Sequence, residues 1–404
     1  MMRMLLKGAT LINGKGGSPI ANSGILLEDD IIQRVGKAAD FSDDPDLYTI
    51  DYTGKTIMPG LINCHAHFLI EPNGWDSYQK ITTESDTSIC LRGIENLQKL
   101  LASGVTFVRD MGGYRRIEFE LKSALADKRI VGPDLMLSGT FMSITGGHCW
   151  WLSRQCDGGD EFVKGAREQI RAGADQVKLL VTGGYARPKM KVNHSIMPDS
   201  PQMTVKEIAA VVEEVHGRGK KVAAHCNGLT GVWRAAQAGV DSIEHGQFND
   251  VNDPLVGKAL QMMVDKGIYL VPTLSAFFKN YNKVEIIKDY QAVLESFTLA
   301  VEYGVKIAMG NDSGCPYVGH ETAPREIVHM AEAGMKPMDA LMTATQNAAA
   351  LLGVDDAVGT LEEGKLADLI VLRDNPLEKM DTLINIEQVY KGGNPVKQQR
   401  SLAG

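Results

Sequence analysis

The 404-residue chain is 44% hydrophobic and sets 42 Lys and Arg against 50 Asp and Glu, for a formal net charge of −8. That is enough apolar material for one large domain plus an accessory one. With no run of Lys or Arg, this balance argues against nucleic acid and anionic lipid as partners, and no stretch reaches the roughly 18 apolar residues of a membrane span. The opening MMRMLLKGATLING has too short an apolar run for the core of a signal peptide, so a cytoplasmic location is expected. Cys64, Cys90, Cys149, Cys156, Cys226 and Cys315 form no CxxC pair and are read as free thiols.

In chain order, residues 1–57 read as short strands separated by turn-rich stretches such as NGKGGSP and AADFSDDPD, a β-rich texture. The same texture returns over 353–404, in GTLEEGKLADLIVLRDNP and INIEQVYKGGNPV. Together the two ends predict one small discontinuous β-rich domain. Over 58–352, eight buried-strand candidates alternate with amphipathic helical runs: IMPGLINCHAHF, GVTFVRDMGG, DLMLSGTFMS, DQVKLLVTGG, KKVAAHCNG, VDSIEHG, IYLVPTLSA and VKIAMGNDSG. Helical segments such as TVKEIAAVVEEVHGRG and NDPLVGKALQMMVDKG end at glycine, as a C-terminal cap requires. The alternation predicts an α/β fold with a parallel sheet, and eight units predict a (β/α)8 TIM barrel. A doubly wound open sheet is the alternative, and it would want a glycine-rich loop where the first strand instead ends in HAHF.

Polar residues collect at the ends of those runs. His65 and His67 close the first strand, and their i, i+2 spacing puts both imidazoles on one face. Lys178 interrupts VKLLV in the fourth strand, His225 ends the fifth, His245 ends the sixth, and Asp312 follows the eighth. Alone, each has an ordinary explanation: a hydrogen-bonded histidine, a helix N-cap at Asp312, a snorkelling Lys178. Barrel active sites lie at the C-terminal ends of the strands. Four imidazoles and a carboxylate converging there match the nitrogen and oxygen preferences of zinc-like ions.

The sequence HAH, the fourth-strand lysine, the fifth- and sixth-strand histidines and the eighth-strand aspartate resemble the amidohydrolase superfamily of metal-dependent hydrolases along essentially the whole chain. The flanking segments GKTIMPGLINCHAH and TATQNAAALLGVDDAVGTLEEGKLADLIVL agree. The runs TGGHCW, VKLLVTGGYA and HETAPREIVHMAEAGMKPMDAL resemble the branch holding imidazolonepropionase-like proteins and Xaa-Pro dipeptidases. This resemblance implies two divalent ions, zinc first among candidates. His65, His67 and Asp312 would hold the more buried ion and His225 and His245 the more exposed one, with a carboxylated Lys178 bridging the pair. It also implies that Asp312 takes a proton from the attacking water and passes it to the leaving nitrogen.

His148, in TGGHC, is expected to donate to the substrate carbonyl or developing oxyanion. GGYARPKMK offers Tyr185, Arg187, Lys189 and Lys191 for a substrate carboxylate, with Tyr185 and Arg187 preferred, and His320 is expected to line the pocket. His194, His216 and His329 read as structural or surface residues. The expected substrate is a small molecule, most simply an L-Xaa-L-Pro dipeptide, acted on by a homo-oligomer. The alternatives are dipeptides ending in Arg or Lys, N-acyl amino acids, a cyclic amide of the imidazolonepropionase kind, and a non-catalytic scaffold. Lys178 at the bridging position counts against the cyclic amide, since enzymes of that kind usually run with one metal, and a scaffold should have lost part of the ligand set.

Overall fold

Alternation of side chains between two faces explains the short strands at both chain ends. Met4 and Leu6, Ile25 and Leu27, and Leu369 and Val371 are i, i+2 pairs that share one buried apolar cluster with Leu11, Ile57 and Tyr390, as the two-residue period of a strand demands. In the computed structural model, which describes residues 3–41, 47–74, 77–184, 198–278 and 287–396, the chain divides into two compact units. One comprises Met1–Asn63, Gln98–Phe107 and Glu321–Gly404, the other Cys64–Leu97 and Val108–His320.

The first unit holds two sheets. One runs Ile31–Lys37, Ser23–Glu28, Arg3–Lys7, Tyr48–Asp51, and the other Asn394–Pro395, Gln388–Lys391, Leu369–Leu372, Thr56–Pro59, Thr10–Leu11. Leu369–Leu372 lies antiparallel to Thr56–Pro59, with Ile370 opposite Met58. The sequence run IMPGLINCHAHF therefore contains two strands, broken at Gly60. A Cβ at Gly60 would lie 2.3 Å from Thr106 Oγ1, so this break requires a residue without a side chain.

The second unit contains a seven-stranded sheet in the order Arg154–Gln155, Met142–Ser143, Gln176–Leu180, Lys221–Asn227, Ser242–Gln247, Tyr269–Val271, Lys306–Ile307. Every pairing in it is parallel. Gln176–Leu180 is buried along its whole length, as expected of a parallel strand covered on both faces. Helices separate the strands from Arg154–Gln155 onward. Val205–His216 starts on a capping box between Thr204 and Glu207 and buries Ile208, Val211, Val212 and Val215, the stripe a 3.6-residue period dictates. Pro254–Lys266 begins with Asp253 as N-cap and Pro254 in the first turn, both good helix starts.

A three-stranded sheet of Leu61–Ala66, Val105–Asp110 and Asp134–Leu137 completes the set, so each of the eight candidate runs contains a strand. Within the second unit, Ala66 forms a parallel bridge to Ser313, and Cys64 N donates to Met309 O at 2.8 Å. At the other end of this set, Asp175 N donates to Leu137 O at 2.8 Å, and Leu137 N donates to Asp175 Oδ2 at 2.8 Å. The result is a mixed α/β fold organised around parallel strands.

Candidate active site

The second unit draws the six strand-end residues together. His65, His67 and Asp312 are buried, with one potential ligand atom of each lying within 4.8 Å of the others. Asp312 Oδ1 is 3.5 Å from both His65 Nε2 and His67 Nε2. The His65 and His245 rings are 5.2 Å apart, His245 and His225 4.5 Å, and His225 and His148 stack at 4.7 Å with planes 28° apart. Close backbone approach makes this possible: a Cβ at Gly310 would come within 2.7 Å of His65 Cβ.

Two of these residues, His245 and Asp312, hold left-handed backbone, with φ of 69° and 58°. Non-glycine residues adopt that conformation at a cost, and such residues cluster at functional sites. His245 Nδ1 meets Thr273 Oγ1 at 2.7 Å. His225 Nε2 lies 2.9 Å from Gly183 O and 3.0 Å from Asn227 Nδ2.

Electrostatics mark the same place. Burial pushes the His65, His225 and His245 imidazoles well below their usual range, and lowers those of His67 and His148 to about 3. All five are therefore neutral at pH 7, the form in which histidine binds a metal. Burial lowers the Lys178 amine and raises the Asp312 carboxyl. Among the described residues, Lys178 Nζ and Asp312 Oδ1 are buried without a hydrogen-bond partner. Orphaned polar atoms of this kind call for a missing partner. Imidazole nitrogens and a carboxylate fit divalent ions of the zinc class.

His320 is fully buried, and its Nε2 lies 3.1 Å from Ile70 O. His216 pairs with Asp241 and His329 with Glu332. Tyr185, Arg187, Lys189, Lys191 and His194 lie outside the described residues. Sequence reasoning passed over Glu244, Arg109 and Thr273. Glu244 and Arg109 are charged residues within strands that are otherwise almost wholly buried, and that was the available signal.

The amidohydrolase family model matches residues 56–396. Ochratoxinase of Aspergillus niger is 29% identical, over 97% of this chain and 86% of its own. Imidazolonepropionase of Symbiobacterium thermophilum is 25% identical, over 91% of this chain and 85% of its own. A crystal structure of a Xaa-Pro dipeptidase with methionine bound in its active site superposes with a TM-score of 0.85 at 31% identity, covering 98% of this chain and 100% of the other. The chain belongs to the amidohydrolase family and is a hydrolase acting on amide bonds of a small-molecule substrate.

Proposed function

We propose that the chain is a binuclear metal-dependent dipeptidase that cleaves L-Xaa-L-Pro. The observation that carries this reading is Lys178. Among the described residues its buried amine has no hydrogen-bond partner, and it lies within electrostatic reach of His65, His67, His225, His245 and Asp312 together. An ammonium there would repel cations, whereas a carboxylated Lys178 would become an anionic oxygen ligand bridging two of them. His65, His67 and Asp312 would hold one zinc ion and His225 and His245 the other. Bound divalent ions supply Lewis acidity toward a carbonyl and acidify water.

The chain's own groups do the rest. Asp312 receives the water proton at Oδ1 and returns it to the leaving nitrogen. His148, neutral and stacked on His225, directs one ring N–H to the carbonyl oxygen as negative charge builds there. Tyr185 and Arg187 follow the strand bearing Lys178 in sequence and are our candidates for the substrate carboxylate, with His320 backing the pocket. Residues 58–352 would form a closed (β/α)8 barrel and 1–57 with 353–404 a β-sandwich. Support for closure comes from the Ala66–Ser313 bridge at one end of the strand set and the Leu137–Asp175 pair at the other. Support for the sandwich comes from the apolar cluster that both sheets share.

Zinc-loaded protein screened against a dipeptide library should release proline preferentially. Amidation of the substrate carboxylate should lower kcat/KM by roughly 10- to 150-fold, the worth of a charge-assisted hydrogen bond. Equal rates on acid and amide would reject the dipeptidase reading. The similarity to ochratoxinase favours one alternative, an N-acyl amino acid, so ochratoxin belongs in the same screen.

A further inference from the structure

Behind His65 lies a buried carboxylate. Glu244, fully buried on the strand Ser242–Gln247, accepts on both oxygens. Its Oε2 is 2.8 Å from His65 Nδ1. Its Oε1 receives Arg109 Nη2 at 2.9 Å and Ser242 Oγ at 2.6 Å. Arg109 is itself buried, donates through Nη1 to Ser242 Oγ at 3.0 Å, and donates through Nε to Cys64 O. Three strands thus meet in one clasp.

A buried guanidinium requires an anion beside it, since an uncompensated charge away from water is strongly destabilising. Glu244 is that anion, and a carboxylate can only accept hydrogen bonds. The hydrogen between Glu244 and His65 must therefore sit on His65 Nδ1. The other ring nitrogen, Nε2, then carries a lone pair rather than a hydrogen, and it lies 3.5 Å from Asp312 Oδ1.

We propose that Glu244, paired with Arg109, is a positioning residue that fixes His65 in the Nδ1–H tautomer before any ion arrives, so that Nε2 is preset as a ligand atom. The inference rests on reading His65 as a metal ligand only for its consequence; the tautomer itself follows from the hydrogen bonds. Carboxylate–imidazole pairs behind metal sites act in this way, and their loss typically weakens metal binding by about 10- to 100-fold.

Glu244→Gln separates positioning from packing, because it keeps size and shape. Arg109 and Ser242 still donate to the Oε1 position, so the glutamine oxygen stays there and its NH2 faces His65 Nδ1. An amide donor at that place reverses the tautomer and puts a hydrogen on Nε2.

The test is 15N NMR of full-length, metal-free protein labelled at histidine, with the His65 signals assigned from a His65→Gln sample, alongside zinc affinity measured by competition with a fluorescent chelator. The native chain should show Nδ1–H at His65. Glu244→Gln should show Nε2–H and bind zinc about 10- to 100-fold more weakly, while Ser242→Ala should keep the native tautomer. An Nε2–H signal in the native chain overturns the proposal and needs no variant to fold. An unchanged tautomer and affinity in Glu244→Gln overturns it as well. Native protein that shows Nδ1–H yet binds no zinc would instead remove the metal reading and leave the Glu244 assignment standing.

Discussion

His245 and Thr273 hold each other in a backbone conformation neither favours: Nδ1 and Oγ1 are 2.7 Å apart, and the two residues have φ of 69° and 51°. For a β-branched residue such as threonine, positive φ is a true outlier, so the hydrogen bond offsets part of a real strain. Thr273→Val deletes the hydroxyl while keeping the shape. It should weaken zinc binding by about 10- to 100-fold, whereas Thr273→Ser should stay near native. Chelator competition on the three proteins checks this, and equal affinities would disconnect Thr273 from the site.

Lys178 offers a chemical test of the bridge. Elemental analysis of protein grown with zinc and bicarbonate should find about two metals per chain, and Lys178→Ala should lose at least one of them, with most of the activity. Acetate or propionate, entering the space of the lost side chain as a free carboxylate, should restore part of the rate. A Lys178→Ala protein that retains two metals and native turnover would remove the bridging role.

His148→Phe keeps a ring stacked on His225 but has no N–H. If His148 steadies the oxyanion, kcat should fall by about 10²-fold or more, with the thermal midpoint little changed. Because burial lowers His148 to about 3, its own titration should leave no mark on the rate between pH 5 and pH 9, the range over which the profile would be recorded. A variant as fast as native would move the oxyanion contact elsewhere.

Glu118 carries a stability prediction independent of catalysis. Burial raises its carboxyl from the usual 4.5 to about 7. Between pH 4.5 and 7 the folded state thus binds more protons than the unfolded chain. Stability from this group is greatest below pH 4.5 and declines as pH rises through 7. Glu118→Gln should abolish that decline and gain up to about 3 kcal/mol over native at pH 8. Asp110, also raised by burial with Glu118 adding to it, would leave a residual slope of the same sign. Urea midpoints measured across the range decide, and parallel curves for the two proteins would refute it.

What could be read from sequence and what could not divide along a physical line. His65, His67, Lys178, His225, His245 and Asp312 each interrupt or end an apolar run, so a one-dimensional pattern marks them. Parallel strands then force their ends to the same side, which is why they meet. Glu244 and Arg109 were not legible as a pair, because their contact spans 135 positions and depends on which strands are neighbours. The break at Gly60 was hidden for a similar reason. Apolar character continues unbroken across it, and only the approach of Thr106 shows why the chain needs a glycine there. Thr273 was invisible because nothing local announces a left-handed threonine.

The pairing of Ile370 with Met58 also has a consequence for how the chain is made. A ribosome emits Thr56–Pro59 long before Leu369–Leu372 exists, and the whole of the other unit is synthesised in between. Until then the early strand has no antiparallel neighbour on that side, and its unpaired backbone is open to other nascent chains. Contacts so distant in sequence also fold slowly. Expression yield should therefore respond to temperature and to chaperone supply more steeply than the equilibrium stability of the finished protein does. Interrupting the C-terminal strand should harm solubility before it harms the arrangement of His65, His67 and Asp312, all of which lie in the unit that Leu369–Leu372 does not belong to.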